Sequence, residues 1–203
     1  MVEIYGSVRS STGRCVWCLE EVGIPYQHKV VDMKNKEHKS VDFLKLNPNG
    51  KVPVLKDGAF ILFESMAINL YLAEKYKPMF LGKSSEEKAL SYQWSFWAQS
   101  DLQDPLIQIF IQKVFVAEEK RDYKIIADSM QKLPQLFEVL DQALQSKKYL
   151  AGLEFTVADL NVCSVVQIAG SVDFDITPYS HVDRWSKTIS ERAAYRKYAA
   201  LRS

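Results

Sequence analysis

The run Lys51-Val52-Pro53-Val54-Leu55, with Glu64-Ser65 eleven residues after the proline, holds the residue types best suited to binding chemistry. Proline donates no N–H, so in a sheet it is confined to the first residue, an edge or a bulge. The residue before it is held extended, and an X-Pro bond at such a place is a candidate cis bond. A cis bond there leaves the Val52 N–H and C=O outside the ladder, free to pair with an extended peptide. Glu64-Ser65 opens an apolar stretch, Met66 to Tyr76, that reads as a helix. A helix N-terminus offers free N–H groups, and a Ser hydroxyl beside them completes a carboxylate site. A backbone clamp next to a carboxylate site suits a short anionic peptide. A second chemistry is available at Cys15-Val16-Trp17-Cys18, where two thiols at C-x-x-C spacing have the pattern of a redox pair. Their placement opposes it: a redox cysteine needs the helix N-terminus, and this pair lies about a turn inside the helix. Cys163, in a later helix, reads as core.

The elements around these residues follow from their punctuation. Val2 to Tyr5 reads as a strand closed by Gly6, Thr12 to Val22 as a helix stopped by Gly23, and Tyr26 to Val31 as a second strand. His38 to Leu46 reads as a short helix ending before Asn47-Pro48. Val52 to Lys56 and Phe60 to Phe63 form a hairpin around Asp57-Gly58. The order is βαβ, then α, then ββα. A linker over about 78–85 separates a first domain, 1–77, from a second, 86–203, where strand signals all but vanish. There Ile126, Met130, Leu133, Phe137, Leu140 and Leu144 recur at spacings of 4, 3, 4, 3 and 4, one face of a long helix that Pro134 should bend or break. Leu90, Trp94 and Trp97 begin another helical face, with Pro105 as its expected kink. In Phe155-Thr156-Val157-Ala158-Asp159-Leu160, Thr156 suits an N-cap, Asp159 completes a capping box, and Phe155 and Leu160 can form the hydrophobic staple. This motif starts a buried helix.

Composition narrows the classes of function. Net charge is +1 from 26 basic and 25 acidic residues, which gives no electrostatic case for nucleic acid or a membrane surface. Apolar residues make up 47% of the 203, enough for a sizeable core. No apolar run approaches the roughly 18 residues of a membrane span, and Met1 to Tyr5 lacks the features of a signal peptide. Three cysteines argue against a disulfide framework, so the cytoplasm is expected. There is no G-x-S-x-G, P-loop or H-E-x-x-H, and His28, His38 and His181 are too scattered for a metal site.

Asn47-Pro48-Asn49-Gly50-Lys51-Val52-Pro53, Phe63-Glu64-Ser65-Met66-Ala67-Ile68, Glu37-His38-Lys39-Ser40 and Cys18-Leu19-Glu20-Glu21-Val22-Gly23 resemble, in their order along the chain, motifs of the cytosolic glutathione transferases, most closely the phi class and related bacterial proteins. The resemblance is dense over the first third of the chain and looser beyond. It implies an α/β thioredoxin-like first domain (βαβαββα) and an all-α second domain. It further implies glutathione as co-substrate, no metal, a small apolar electrophile as second substrate, and a homodimer. By this resemblance Val52, Pro53 and Lys51 contact the peptide, Glu64 and Ser65 hold its γ-glutamyl end, and His38 and Lys39 hold its glycyl carboxylate. Counting from Gly6, Ser10 takes the catalytic position and Ser11 is the alternative; the hydroxyl donates to the glutathione sulfur and favours its thiolate. The electrophile pocket is expected against the helical domain, with Phe110, Phe115 and Trp94 as aromatic candidates. Asn49 stands where the phi pattern has an aromatic dimer anchor, so the interface should be more polar or anchored elsewhere, and Gln99 to Asp101 are expected to face that region. Conjugation, hydroperoxide reduction, dehalogenation and isomerisation share one glutathione site: conjugation is implied, the same thiolate could reduce hydroperoxides, and isomerisation stays open. Two other readings stay open: a non-enzymatic regulatory or dimerisation module of the same fold, and a thiol oxidoreductase using Cys15 and Cys18.

Overall fold

The structure, a computed structural model, describes residues 1–202. Two compact units divide the chain: Met1–Leu81 together with the segment from Ser190 onward, and Gly82–Ile189. The return of the last residues to the first unit is absent from the sequence expectation, which ran the helical domain to the chain end.

The first unit holds a four-stranded sheet of order β2-β1-β3-β4. Strand β1 (Val2–Tyr5) pairs parallel with β2 (Tyr26–Lys29) and antiparallel with β3 (Val54–Asp57), which pairs antiparallel with β4 (Phe60–Phe63). Strand β2 ends at Lys29, two residues short of Val31, and β3 begins at Val54, two residues beyond Val52. The Val52-Pro53 bond is cis. Helix α1 (Thr12–Val22) stops as expected at Gly23, whose left-handed backbone lets its N–H reach Leu19 O at 2.9 Å. The expected helix from His38 is split. A 3₁₀ turn covers Glu37–Lys39, then Ser40 turns extended and caps α2 (Val41–Leu46), its Oγ accepting from Phe43 N at 3.2 Å. Helix α3 (Ser65–Tyr76) packs against α1. The expected linker is partly structured: α4 (Pro78–Leu81) buries Phe80 and Leu81. The core gathers Ile4, Trp17, Leu19, Leu55, Ile68 and Leu72, all fully buried. Helix α10 (Ala193–Ala200) packs on α1.

The hairpin turn is tied down by a single carboxylate oxygen. Asp57 Oδ2 accepts from Tyr71 Oη at 2.8 Å, Lys75 Nζ at 2.5 Å and Tyr76 Oη at 2.6 Å, joining the end of β3 to α3. Partial burial pushes the Asp57 carboxyl up, but the hydrogen bonds from Lys75, Tyr76 and Tyr71 overcome it and hold it at about 2. A folded value below the unfolded one of about 3.9 contributes stability above that pH and loses it as pH falls toward 2. Asp57→Asn should therefore cost on the order of 1 kcal/mol at neutral pH, allowing for solvent screening. The gap between the two proteins in urea should close between pH 4 and pH 2; a gap that persists in acid would show that charge is not its source.

The second unit is helical: α5 (Ser85–Trp97), α6 (Gln103–Val114), α7 (Tyr123–Leu144), α8 (Val157–Val166) and α9 (Ser180–Ser190). The expected kink at Pro105 lies a turn earlier, as a wide π-type turn over Ala98–Leu102 that ends where Pro105 would begin to lack its donor. Helix α7 runs through Pro134 unbroken. That residue sits on the exposed face, where water can satisfy the carbonyl left unpaired. Its inward face is Leu133, Phe137, Leu140 and Leu144, as the spacing requires, while Ile126 and Met130 are only half-buried. The Thr156 motif forms: Asp159 Oδ2 accepts from Thr156 N at 2.9 Å and from Thr156 Oγ1 at 3.1 Å. Thr156→Ala should cost about 1 kcal/mol or somewhat more, read as a lower urea midpoint at unchanged slope; unchanged stability would remove the cap's role. No helix among the described residues is long and apolar enough to cross a membrane.

Candidate functional site

The loop from β1 to α1 carries the two serines. Gly6 has φ +134°, and a β-carbon there would lie 2.0 Å from Thr12 Oγ1 and 2.9 Å from Val52 Cβ. Only glycine fits that gap, so the loop passes directly against Val52. His28 Nε2 donates to Gly6 O at 2.7 Å and fixes the loop's start. Ser10 is exposed. Its Oγ donates to Ser7 O at 2.7 Å, lies 3.0 Å from Thr12 Oγ1, and accepts from Thr12 N at 3.2 Å. Ser11 occupies the N-cap position of α1 with helical backbone and makes no side-chain cap bond. The Ser10 hydroxyl must release Ser7 O to serve a ligand.

Val52 lies outside the ladder, which starts at Val54, so its N–H and C=O are not spent on β-pairing. Asn47 Nδ2 donates to Lys51 O at 2.7 Å and holds the turn before it. The Lys51 side chain is exposed. Lys39 Nζ donates to Asn49 O at 3.2 Å and lies 2.7 Å from where a Gly50 β-carbon would be. Lys39 thus flanks the same turn, and a ligand carboxylate would compete with a neutral carbonyl for its ammonium. His38 is half-buried, and its buried Nδ1 has no hydrogen-bond partner among the described residues. Asn49 is exposed, its N–H bonded to Asn47 Oδ1 at 3.0 Å.

Glu64, expected as part of the helix opening, is the N-cap of α3 with φ 73° and ψ 111° and no side-chain cap bond. A positive φ is costly for a residue with a β-carbon. It turns an exposed carboxylate outward while Glu64 O still accepts from Ile68 N at 2.9 Å. Ser65 is the first helical residue, one earlier than expected, and is buried. Its hydroxyl accepts from Arg14 Nη1 at 3.4 Å.

Sequence reasoning missed Arg14. It is 5% exposed, and its Nη1 also lies 3.8 Å from Met66 Sδ. Burial pulls its guanidinium below its ordinary value, yet nothing brings it near neutrality at physiological pH. A buried cation thus sits beneath the α3 N-terminus, adding positive potential where the helix already favours an anion. The serine loop, the Val52 turn and the Ser65 end of α3 converge through Gly6 and Arg14.

The cysteines take no part in this arrangement. Cys15, Cys18 and Cys163 are free and fully buried. Burial pushes the Cys15 and Cys18 thiols well above the ordinary range and Cys163 up to about 12. Such thiols are core residues, the opposite of a low-pKa redox pair. In the second unit, Trp94 is buried and meets Trp97 edge-on at 5.2 Å. Phe115 is 74% exposed and meets Phe110 at 5.8 Å. Ser100 Oγ donates to Asp101 Oδ2 at 2.6 Å on the exposed side of the wide turn.

Two family models match the chain: Glutathione S-transferase, N-terminal domain, over residues 1–74, and Glutathione S-transferase, C-terminal domain, over 102–193. Glutathione S-transferase 1 of Zea mays is 34% identical over 98% of this chain and 96% of its own length. GstB of Escherichia coli strain K12 is 32% identical over 99% of each. The solved structure of maize glutathione S-transferase I in complex with an atrazine glutathione conjugate superposes with a TM-score of 0.86 at 35% identity, covering 98% of this chain and 97% of that one.

Proposed function

The chain belongs to the glutathione S-transferase family, and from that premise we infer how its own residues divide the work. It is an enzyme that conjugates glutathione to electrophiles. The observation that carries the assignment of residues is the convergence of the Ser10 loop, Val52 and Ser65 at Gly6 and Arg14. The glutathione backbone pairs with the free N–H and C=O of Val52, beside Pro53 and Lys51. Its γ-glutamyl carboxylate takes the α3 N-terminus and the Ser65 hydroxyl, with Glu64 facing the ammonium. Its glycyl carboxylate takes Lys39 and His38. That threading brings the thiol to the N-terminal end of α1, where Ser10 Oγ donates to sulfur.

A free thiol has a pKa of about 8.5, so only a few per cent is ionised at neutral pH. The hydroxyl donor and the positive end of α1 both favour thiolate. Lowering the pKa by about 2 units is worth roughly 2.7 kcal/mol and ionises most of the bound thiol. The serine stabilises an anion and forms no covalent bond. The thiolate then attacks a small apolar electrophile, and the leaving group departs with its electron pair. The same thiolate can reduce an organic hydroperoxide to the alcohol, with a second glutathione closing the disulfide. We place the enzyme in the cytoplasm as a homodimer; Phe60 and Ile61, exposed on the edge strand β4, supply apolar surface where Asn49 does not.

The test is an ultraviolet titration of glutathione bound to the wild-type protein, following thiolate absorbance against pH. A bound thiol titrating well below the free value supports this assignment. Binding without ionisation would leave a glutathione-binding fold without this activation, and no binding would return the chain to the non-enzymatic module.

A further inference from the structure

We propose that Tyr198, on the C-terminal helix α10, is a positioning residue for glutathione activation, holding the Ser10 loop in place through Gly13. The proposal rests on the reading that Ser10 serves the bound thiol.

Gly13 is the second residue of α1 and lies between two surfaces. A β-carbon there would fall 2.3 Å from Val8 O, 3.0 Å from the Tyr198 hydroxyl and 3.1 Å from its ring. The bare face of this glycine is therefore the plane on which α10 meets the serine loop. The loop is tied to the same point by its own bonds: Ser10 N donates to Ser7 O at 3.0 Å, and Gly13 N donates to Ser10 O at 2.9 Å. A shift of Gly13 passes to Ser10 through one hydrogen bond and one van der Waals contact with Val8.

Tyr198 is well placed to resist such a shift. It is 4% exposed and stacks parallel on Trp17, with ring centroids 5.9 Å apart and an interplanar angle of 3°. Arg202 Nη1 donates to its hydroxyl at 3.1 Å. Helix α10 is anchored at its start by Arg192, whose Nε and Nη2 meet Glu21 at 2.8 and 2.7 Å. The fork-on-carboxylate geometry fixes direction as well as distance. Arg14, the residue after Gly13, in turn reaches Ser65. One aromatic ring from the chain end thus abuts the turn from which both the thiol end and the γ-glutamyl end of the site are held.

The test compares wild type with Tyr198→Ala, Tyr198→Phe and Tyr195→Ala. Tyr195 meets Trp17 edge-on at 5.1 Å and Tyr198 edge-on at 5.9 Å but is not among the three atoms nearest Gly13, so its loss loosens α10 packing while the Tyr198 ring itself is kept against the loop. The readouts are the pH dependence of kcat/KM with chlorodinitrobenzene and the titration of bound glutathione. Tyr198→Ala should move the acid limb upward by about one pH unit, roughly tenfold in thiolate at a pH below both limbs. Tyr198→Phe keeps the ring and should restore the wild-type limb. Tyr195→Ala should lower the melting temperature and leave the limb where it was. An unmoved limb in Tyr198→Ala, or an equal movement in Tyr195→Ala, overturns the proposal. If Tyr198→Ala does not fold, Tyr198→Leu replaces it with the same two outcomes. Absence of thiol ionisation in the wild type defeats the functional reading and this one together, whereas wild-type ionisation with an unmoved Tyr198 limb defeats this one alone.

Discussion

Ser10→Ala should cut kcat/KM for conjugation by up to roughly 25-fold at neutral pH and lose that effect in alkali. The size follows from ionisation. Returning the bound thiol from about 6.5 to about 8.5 lowers the thiolate fraction at pH 7 roughly 25-fold. One effect reduces the loss from there: the more basic thiolate is the better nucleophile. Above about pH 9.5 the thiol is ionised in both proteins, so the gap should close or reverse. Convergence separates a serine that ionises the thiol from one that merely orients it, since an orienting role leaves a gap at every pH. Ser11→Ala is the comparison. Its hydroxyl makes no cap bond, so stability should hardly change, and the pH profile should stay as in wild type. If Ser11→Ala shows the pH-dependent loss and Ser10→Ala does not, the role passes to Ser11. Ser10 begins with its hydroxyl on Ser7 O at 2.7 Å; exchanging a neutral carbonyl for a thiolate is favourable because hydrogen bonds to a charged partner are the stronger.

Asp159→Ala should destabilise the protein by about 3–5 kcal/mol, a large part of the 5–15 kcal/mol usual for a folded domain. Asp159 is fully buried, and its two oxygens accept four hydrogen bonds. Leu150 N and Trp185 Nε1 donate to Oδ1, each at 2.9 Å, and Thr156 N and Thr156 Oγ1 donate to Oδ2 at 2.9 and 3.1 Å. Burial pushes its carboxyl up, and the four donors oppose that push without cancelling it. Alanine strands all four donors in a dry interior, where each unmet group costs about 1–3 kcal/mol. Asp159→Asn should cost less, because its carbonyl oxygen keeps one pair of donors while its amide faces the other. Urea denaturation checks both: the midpoint should fall far for alanine, less for asparagine. A loss below about 1 kcal/mol for alanine would mean that water reaches these groups.

What the sequence made legible was local. The Asp57-Gly58 turn, the stop at Gly23 and the Thr156–Asp159 box are each specified within a few residues, and each formed. The inward face of α7 followed from its spacing alone. The misses share a cause in partners distant along the chain. Arg14 reads locally as one more polar helix residue, and only Ser65, 51 positions away, reveals it as part of a site. Tyr195 and Tyr198 lie in a polar, weakly periodic segment, so nothing nearby says that they pack on Trp17. The four residues of α4 are too few to show a period, and the wide turn before α6 leaves only Pro105 as its trace. At the site, residue types were readable because clamp, cap and carboxylate chemistry demand particular groups. Their convergence was not, because it depends on Gly6 lacking a side chain between Thr12 and Val52.

The first unit draws on two stretches of chain separated by the whole of the second unit. Its sheet and its α1–α3 layer come from the earlier stretch, yet Trp17 and Glu21 meet Tyr195, Tyr198 and Arg192 only once the later stretch has been made. Because synthesis runs from the N-terminal side, the unit begun first is completed only after the second has emerged. During that interval an indole and a carboxylate lack partners that cover them in the folded protein. A protein truncated before residue 192 would stay in that state, displaying surface that chaperones and proteases recognise.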